Sequence, residues 1–218
     1  MAKVAVSILS ADFKKADEGL PKLEEAQADM IQWDIMDNKF VPNTGIDEKH
    51  ILQLREKTNL FFDAHLMVEN PEERFERYEE WGVQNITFHV EAAKRPDYTI
   101  TLLHQLGLGT GVAINAQTPV EKIIPFLPKI DIALVMTVNA GMGGQQFIEE
   151  NLEKVRVLRK EIDKMGIGCE IQVDGGINPE TGKKALEAGA DILVAGSYIM
   201  KSQDIVQAIK ALKELRIN

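Results

Sequence analysis

The chain has 218 residues, of which 44% are hydrophobic and 27% are charged, and its formal net charge is -9. The length is enough for one large α/β domain and generous for two small ones, and the composition is that of an ordinary globular protein. The negative charge disfavours nucleic-acid binding, which needs a basic surface. We find neither an apolar run of membrane-spanning length nor a signal-peptide pattern, and the single cysteine, Cys169, excludes a disulfide within the chain. We therefore expect a cytoplasmic protein without a membrane partner.

Eight short runs rich in β-branched and aromatic residues predict β-strands. They cover residues 3–8, 30–36, 60–68, 85–90, 109–115, 132–138, 169–174 and 191–196. Helical patterns lie between them, among others over residues 12–27, 47–57, 71–82, 148–166 and 178–190. Asn178 before Pro179 marks a helix start, and Gly166 and Gly189 mark helix ends. The segment 120–130 is the weakest helix because two prolines interrupt it.

Eightfold alternation of strand and helix predicts a parallel sheet with helices outside it. At this chain length, a single (β/α)₈ TIM barrel over residues 1–218 is the most economical fold. An open, doubly wound sheet is the alternative. To bind a dinucleotide it would need a glycine-rich turn after the first strand, and "SILSADFKK" contains none.

Polar side chains stand near the carboxyl ends of the predicted strands, where a barrel carries its active site. They are Ser7, Gln32, Asp34, His65, His89, Asn115, Thr137, Asn139 and Asp174. Asp34 lies within an apolar strand, and burying a carboxylate without a partner is unfavourable. We therefore expect a cation, a proton or a ligand next to it. His89 also fits a hydrogen-bonded core histidine. The residues Ser7, Asn115 and Asn139 also fit side chains that satisfy loop backbone.

Three glycine-rich turns follow the sixth, seventh and eighth strands, namely "NAGMGGQQF" (139–147), "DGGIN" (174–178) and "VAGSYI" (194–199). Glycines let backbone N–H groups approach an anion closely, and the loops after the last two strands of a barrel often bind phosphate. Asp34 and Asp174 across such a cavity suit proton removal from one face of a substrate and its return to the other. With His65 they also offer three ligands to a divalent cation. These residues predict an isomerase, epimerase or lyase for a small phosphorylated sugar.

A known family shares these motifs in order over essentially the whole chain. The sequence resembles ribulose-phosphate 3-epimerases at "VSILSADF", "WDIMDNKFVPN", "DAHLMVENP", "ITFHVEA", "VAINAQTPVE", "VMTVNAGMGGQQFI", "VDGGIN" and "ILVAGSYI". The resemblance implies a (β/α)₈ barrel that interconverts ribulose 5-phosphate and xylulose 5-phosphate through a metal-stabilised enediolate.

The resemblance also implies a role for individual residues. Asp34 and Asp174 would be the acid–base pair, and with His65 they would bind a divalent zinc, manganese, iron, cobalt or magnesium ion. Gln32 stands at the position of a fourth ligand. The implied substrate-binding residues are Ser7, Met36, His65, Met67, Met136, Gly141, Met142, Gly143, Gly144, Gly175, Gly176, Gly196 and Ser197. The implied partners are a small phosphorylated ketose and further copies of the chain in a homo-oligomer.

The sequence departs from the family at three places. Gln32 replaces a ligand histidine, Asn38 replaces the glycine of "MDG", and Ala140 replaces the proline of "NPG". An amide oxygen is a harder and weaker ligand than imidazole, so the Gln32 change bears on zinc binding. It leaves open a weaker metal site, a different ketose phosphate such as allulose 6-phosphate, or lost turnover.

Two other function classes compete with the epimerase. A lyase of the orotidine-monophosphate decarboxylase or hexulose-phosphate synthase type would carry Asp-x-Lys-x-x-Asp at a strand end, but Met36 stands at the lysine position. A phosphosugar-binding protein without catalysis would keep the glycine loops and relax the acids, yet Asp34 and Asp174 are both present.

Overall fold

Eight parallel strands close into a barrel in chain order. The computed structural model describes residues 2–9 and 16–216. The strands are β1 (Lys3–Ser7), β2 (Met30–Met36), β3 (Phe61–Met67), β4 (Asn85–His89), β5 (Gly109–Ile114), β6 (Ile132–Met136), β7 (Glu170–Asp174) and β8 (Ile192–Ala195). This confirms the predicted (β/α)₈ barrel, and every strand lies within two residues of its predicted bounds. The single domain over 1–218 stays a prediction.

Helices connect the strands on the outside of the barrel. They are α1 (Ala16–Glu25), α2 (Lys49–Arg55), α3 (Phe75–Glu80), α4 (Pro96–Gln105), α5 (Leu152–Met165), α6 (Pro179–Ala188), α7 (Ser197–Met200) and α8 (Ile205–Lys213). The Asn178 side chain caps α6, and Gly166 and Gly189 end α5 and α6 in the left-handed conformation, as predicted. None of the described helices is long and apolar enough to cross a membrane.

Several of the predicted helices differ from the observed ones. Residues 71–82 begin with a 3₁₀ turn, Pro71–Arg74, and 148–166 begin with another, Glu149–Asn151, as is frequent at helix N-termini. The helix over 47–57 is shorter at both ends, and residues 12–15 of the first lie outside the described chain. The proline-containing segment forms two 3₁₀ turns, Val120–Lys122 and Ile124–Lys129, which agrees with its weak helical pattern. The patterns set no bounds for α4, α7 and α8.

The barrel interior has apolar ends and a polar middle. A lower cluster contains Ala5, Met30, Ile132, Ile192 and Val194. An upper cluster contains Met36, Val41, Met67, Ala113, Leu134, Met136, Val138 and Ala140. Between them lie the fully buried side chains of Gln32, Asp63, Thr87 and Gln172, with Asn85 almost fully buried. The outward residues of the same strands, such as Trp33 and Phe62, pack beneath the helices in the largest core cluster.

Candidate active site

A cavity that is open on one side lies at the carboxyl ends of the strands. It is lined by the predicted residues Ser7, Asp34, Met36, Met67, Met136, Gly141, Met142, Gly143, Gly144, Asp174, Gly175, Gly176, Gly196 and Ser197. Gln32 and His65 lie behind its wall and are fully buried. Sequence reasoning missed the lining residues Leu9, Val138, Gln145, Ile177, Val194 and Tyr198. Most of the predicted substrate-binding residues therefore surround one cavity.

Four side chains from three strands meet at the floor of the cavity. Gln32 Nε2 donates to Asp34 Oδ1 at 2.9 Å and to Asp174 Oδ2 at 2.8 Å. His65 Nδ1 lies 3.0 Å from Asp34 Oδ1 and 3.6 Å from Asp174 Oδ2. The two carboxylates therefore share one amide and one imidazole. This brings together the polar residues that were expected from β2, β3 and β7.

Ser7 and strand pairing fix the position of Asp34. Ser7 Oγ donates to Asp34 Oδ2 at 2.5 Å, so the oxygen that does not contact Gln32 is also occupied. Asp34 pairs in register with His65, and Met36 with Met67 one pleat higher. Because alternate residues of a strand share a face, the acid and the methionine both point inward.

The environment shifts the proton affinity of the central groups. Burial, and then the negative charge of Asp34, raise the pKa of Asp174 to about 7. Burial alone would lower the pKa of His65, but its hydrogen bond to Asp34 and the charges of Asp34 and Asp174 raise it above its ordinary value. Asp174 is therefore poised to gain and lose a proton near neutral pH.

A second histidine supports His65 from behind. His65 Nε2 lies 2.9 Å from His89 Nε2, and His89 Nδ1 lies 3.3 Å from Glu91 Oε2. Burial lowers the pKa of His89. Although burial opposes ionisation of Glu91, hydrogen bonds from His89, Thr118 and the Asn115 backbone hold the pKa of Glu91 at about 2. A neutral His89 facing anionic Glu91 accepts a hydrogen bond at Nε2 from His65 Nε2, which leaves His65 Nδ1 directed at the two acids.

The polar side chains buried in the middle of the barrel form a layer directly behind Asp34, His65 and Asp174. This buried polar layer consists of Gln32, Asp63, Asn85, Thr87 and Gln172. Asp63 accepts hydrogen bonds from Asn85 Nδ2 at 2.7 Å and from Thr87 Oγ1 at 3.0 Å. Gln172 Nε2 donates to Asp63 Oδ2 at 3.3 Å and to Gln32 Oε1 at 3.1 Å. Sequence reasoning missed Gln172. Its signal was the repeat of Gln-x-Asp at 32–34 and 172–174, which places both glutamines on the interior face one step behind an acid.

Asp34, His65 and Asp174 fit a divalent metal ion. One ligand atom of each lies within 4.8 Å of the others. Two carboxylate oxygens and one imidazole nitrogen are a donor set that several divalent metals accept. Gln32 does not complete the set as it stands, because its amide nitrogen, and not its oxygen, faces the acids.

The glycine-rich loops after β6, β7 and β8 meet on one side of the cavity. At Gly176 the φ angle is +67°, and a Cβ would lie 2.9 Å from the Phe147 backbone nitrogen, so this turn needs glycine. A Cβ at Gly144 would lie 3.6 Å from Ser197 Oγ, which shows how close the first and last loops are.

The loop after β2 holds the glycine-rich loop after β6. Asn43 Nδ2 donates to the Gly141 carbonyl at 3.0 Å. Gly141 has φ +102°, and a Cβ there would lie 2.6 Å from Val41 Cβ. Asp37 anchors the β2 loop itself by accepting from the backbone N–H groups of Phe40 and Glu69. The two loops therefore form one packed rim.

The smaller sequence departures have local explanations. Asn38 adopts φ +56°, a left-handed conformation that asparagine tolerates better than most residues. Ala140 has a backbone N–H that proline would lack, and it donates to Asn115 Oδ1 at 3.2 Å. Asn115 thus satisfies loop backbone, while Asn139 is exposed at the rim and accepts from Gln117 at 3.0 Å. Neither asparagine lines the cavity. Thr137 also supports backbone, donating to the carbonyls of Asp174 and Gly175.

Solved structures share this fold at low sequence identity. The chain matches a ligand complex of KGPDC from Streptococcus mutans with a TM-score of 0.73 at 16% identity, covering 98% of this chain and 96% of that one. It matches 3-hexulose-6-phosphate synthase from Salmonella typhimurium with a TM-score of 0.69 at 16% identity, covering 98% and 97%. At this identity the likeness shows the fold alone.

Curated relatives are far more similar in sequence. The Ribulose-phosphate 3 epimerase family model matches residues 3–200. A ribulose-phosphate 3-epimerase of Methanocaldococcus jannaschii is 42% identical over 98% of this chain and 91% of its own length. Those of Synechocystis sp. and Bacillus subtilis are 40% and 39% identical, covering 96% and 98% of this chain and 92% and 99% of their own lengths. The chain therefore belongs to the ribulose-phosphate 3-epimerase family.

Proposed function

We propose that the protein is an isomerase that interconverts ribulose 5-phosphate and xylulose 5-phosphate by inverting C3. The names of its full-length relatives support this substrate pair. The observation that carries the mechanism is that Asp34 and Asp174 project into one cavity from strands three positions apart around the barrel. Inversion at carbon needs a base on one face and an acid on the other, and two carboxylates so placed supply both.

Each carboxylate has a defined task in this proposal. One removes the C3 proton, which is acidic because it lies next to the C2 carbonyl, and the other returns a proton to the opposite face. The pKa of about 7 at Asp174 lets it hold a proton or release it at neutral pH. Gln32 donates to both acids and keeps them at a fixed separation. In the reverse direction the two acids exchange tasks.

The remaining residues bind and shield the substrate. A divalent metal held by Asp34, His65 and Asp174 would stabilise the negative charge of the enediolate. The phosphate would bind to backbone N–H groups of the glycine-rich loops, at Gly143, Gly144, Gly175, Gly176, Gly196 and Ser197. Met36, Met67 and Met136 form an apolar wall that excludes water. The cytoplasmic location and the homo-oligomer stay predictions.

The proposal is tested by assaying the purified protein on a panel of ketose phosphates with added Mn²⁺, Zn²⁺ or Mg²⁺. We expect epimerisation of ribulose 5-phosphate to exceed that of allulose 6-phosphate. Preference for the hexulose would identify the alternative substrate. Phosphate-ester binding without turnover on any substrate would identify a non-catalytic binding protein.

Replacing Gln32 by histidine should tighten zinc binding by about 10–100-fold, because an imidazole adds a fourth ligand to the three that are present. The measurement is a zinc titration of chelator-treated wild type and Gln32→His against a competing dye. Gln32→Leu is the control, since leucine fills the space without a donor atom. Equal zinc affinity in wild type and Gln32→His would show that position 32 lies outside the metal's reach.

A further inference from the structure

Gln172 is fully buried in the barrel behind Gln32 and does not line the cavity. Its amide nitrogen donates in two directions, to Gln32 Oε1 at 3.1 Å and to Asp63 Oδ2 at 3.3 Å. Its oxygen finds no hydrogen-bond partner among the described residues. An unsatisfied buried oxygen is unfavourable, so the fold accepts a cost to keep the nitrogen of Gln172 where it is.

Asp63 determines the direction of these hydrogen bonds. Three donors converge on its carboxylate, from Asn85, Thr87 and Gln172. A carboxylate anion can only accept, so Gln172 must turn its nitrogen toward Asp63. The same nitrogen then faces Gln32, which must present its oxygen to Gln172. The nitrogen of Gln32 is thereby directed at the two acids.

Reversing the Gln32 amide is unfavourable at both ends. Its oxygen would then stand where Nε2 now lies, 2.9 Å from Asp34 Oδ1 and 2.8 Å from Asp174 Oδ2. Its nitrogen would face the nitrogen of Gln172. If Gln172 also reversed, its oxygen would face Asp63 Oδ2 across the present 3.3 Å contact. Reversing Gln32 alone therefore sets two nitrogens against each other, at Gln32 and Gln172. Reversing both amides removes that contact but sets the oxygen of Gln172 against the carboxylate of Asp63, which can only accept.

We propose that Gln172, anchored by Asp63, is a positioning residue that holds Gln32 as a hydrogen-bond donor to the two acids and so keeps it from ligating a divalent cation. The proposal rests on the proposed function only in naming Asp34 and Asp174 as the acid–base pair. It explains why a potential oxygen ligand beside a three-ligand site presents its nitrogen instead. The metal site then has three protein ligands.

The test reverses donor and acceptor in the hydrogen bonds that link Asp63, Gln172 and Gln32, without changing the net charge of the protein. In the double variant Asp63→Asn/Gln172→Glu, the new carboxylate can only accept, so it receives the amide nitrogens of both position 63 and Gln32. The oxygen of Gln32 then turns toward the acids. We expect Mn²⁺ to bind the metal-free double variant about tenfold more tightly than the wild type, measured by calorimetric titration with Mn²⁺ alone.

The control is the same pair of changes in a Gln32→Leu background. Because Gln172 acts through Gln32, the Mn²⁺ affinity there should change by less than about twofold. An equal rise in both backgrounds would mean that moving the charge is sufficient, which overturns the proposal. Unchanged affinity in the background that keeps Gln32 also overturns it.

If the double variant Asp63→Asn/Gln172→Glu does not fold, a second pair of variants tests the proposal. Gln172→Met removes both donations at nearly constant volume and frees the Gln32 amide to turn, so Mn²⁺ affinity should rise, whereas Gln32→Leu/Gln172→Met should bind like Gln32→Leu. No rise in Gln172→Met contradicts the proposal. None of these titrations requires turnover, so a protein that binds Mn²⁺ as expected but lacks epimerase activity would refute the proposed function alone.

Discussion

Replacing Asp34 or Asp174 by asparagine is expected to lower epimerase turnover by more than about 10⁴-fold. A single general acid–base group contributes about 10²–10⁴-fold, and each change also removes one of the three candidate metal ligands. Asparagine keeps the shape of the side chain but cannot carry the proton. The measurement is turnover in both directions, with the thermal midpoint of each variant as the control for folding.

Isotope exchange distinguishes two bases from one. In deuterated solvent, residual exchange of the C3 hydrogen in Asp34→Asn should be confined to one epimer, and in Asp174→Asn to the other. The exposed Asp163 on α5 provides a matched control, and Asp163→Asn should retain wild-type turnover. Near-normal turnover in either active-site variant would show that the two-acid assignment is wrong.

The stability of the metal-free protein is expected to fall as the pH rises. The pKa of Asp174 is raised from 3.8 to about 7 in the folded state by burial and by Asp34. The folded protein therefore binds a proton that the unfolded chain has already released, so this group's stabilisation is full below pH 3.8 and is lost as the pH rises to about 7. Between about pH 5 and about pH 8 the loss is about 3 kcal/mol. The raised pKa of His65 acts in the same direction.

Urea unfolding in the presence of a chelator measures this effect. Asp174→Asn should lose about 3 kcal/mol less than the wild type over the same pH range, because asparagine does not titrate. Asp163→Asn should follow the wild type, since that side chain is 65% exposed. Excess Mn²⁺ should restore stability at high pH by binding the ionised carboxylates. If the stability of Asp174→Asn fell with rising pH as steeply as that of the wild type, the raised pKa of Asp174 would be contradicted.

Local patterns predicted the strands and the acids, because both leave a signal within a few residues. An apolar run followed by a polar residue and a glycine marks the end of a barrel strand, as at Asp174. The helix stops at Gly166 and Gly189 are equally local. Such signals lie in residues that are close together in the sequence. They can therefore be recognised without knowing which distant residues pack against them.

The buried layer was not predictable in the same way. Gln172 meets Gln32 across 140 residues of sequence and Asp63 across 109. Within its own strand, "EIQVD", the spacing to Asp174 indicates which face Gln172 shares, but not which residues it contacts. Its meaning comes only from barrel closure, which sets β2, β3 and β7 around one interior. For the same reason, the sequence could raise a ligand role for Gln32 but could not show which atom of its amide faces the two acids.

The polar layer also bears on how the strands align during folding. A parallel strand that is apolar on both faces aligns with its neighbours only weakly through hydrophobicity, because a one-residue slip exchanges one apolar face for the other. In β3, such a slip would turn Phe62 inward and place Asp63 among the residues beneath the helices, away from its donors Asn85 and Gln172. That misalignment would leave a charge buried without partners. The layer that orients Gln32 therefore also penalises misregistered barrels.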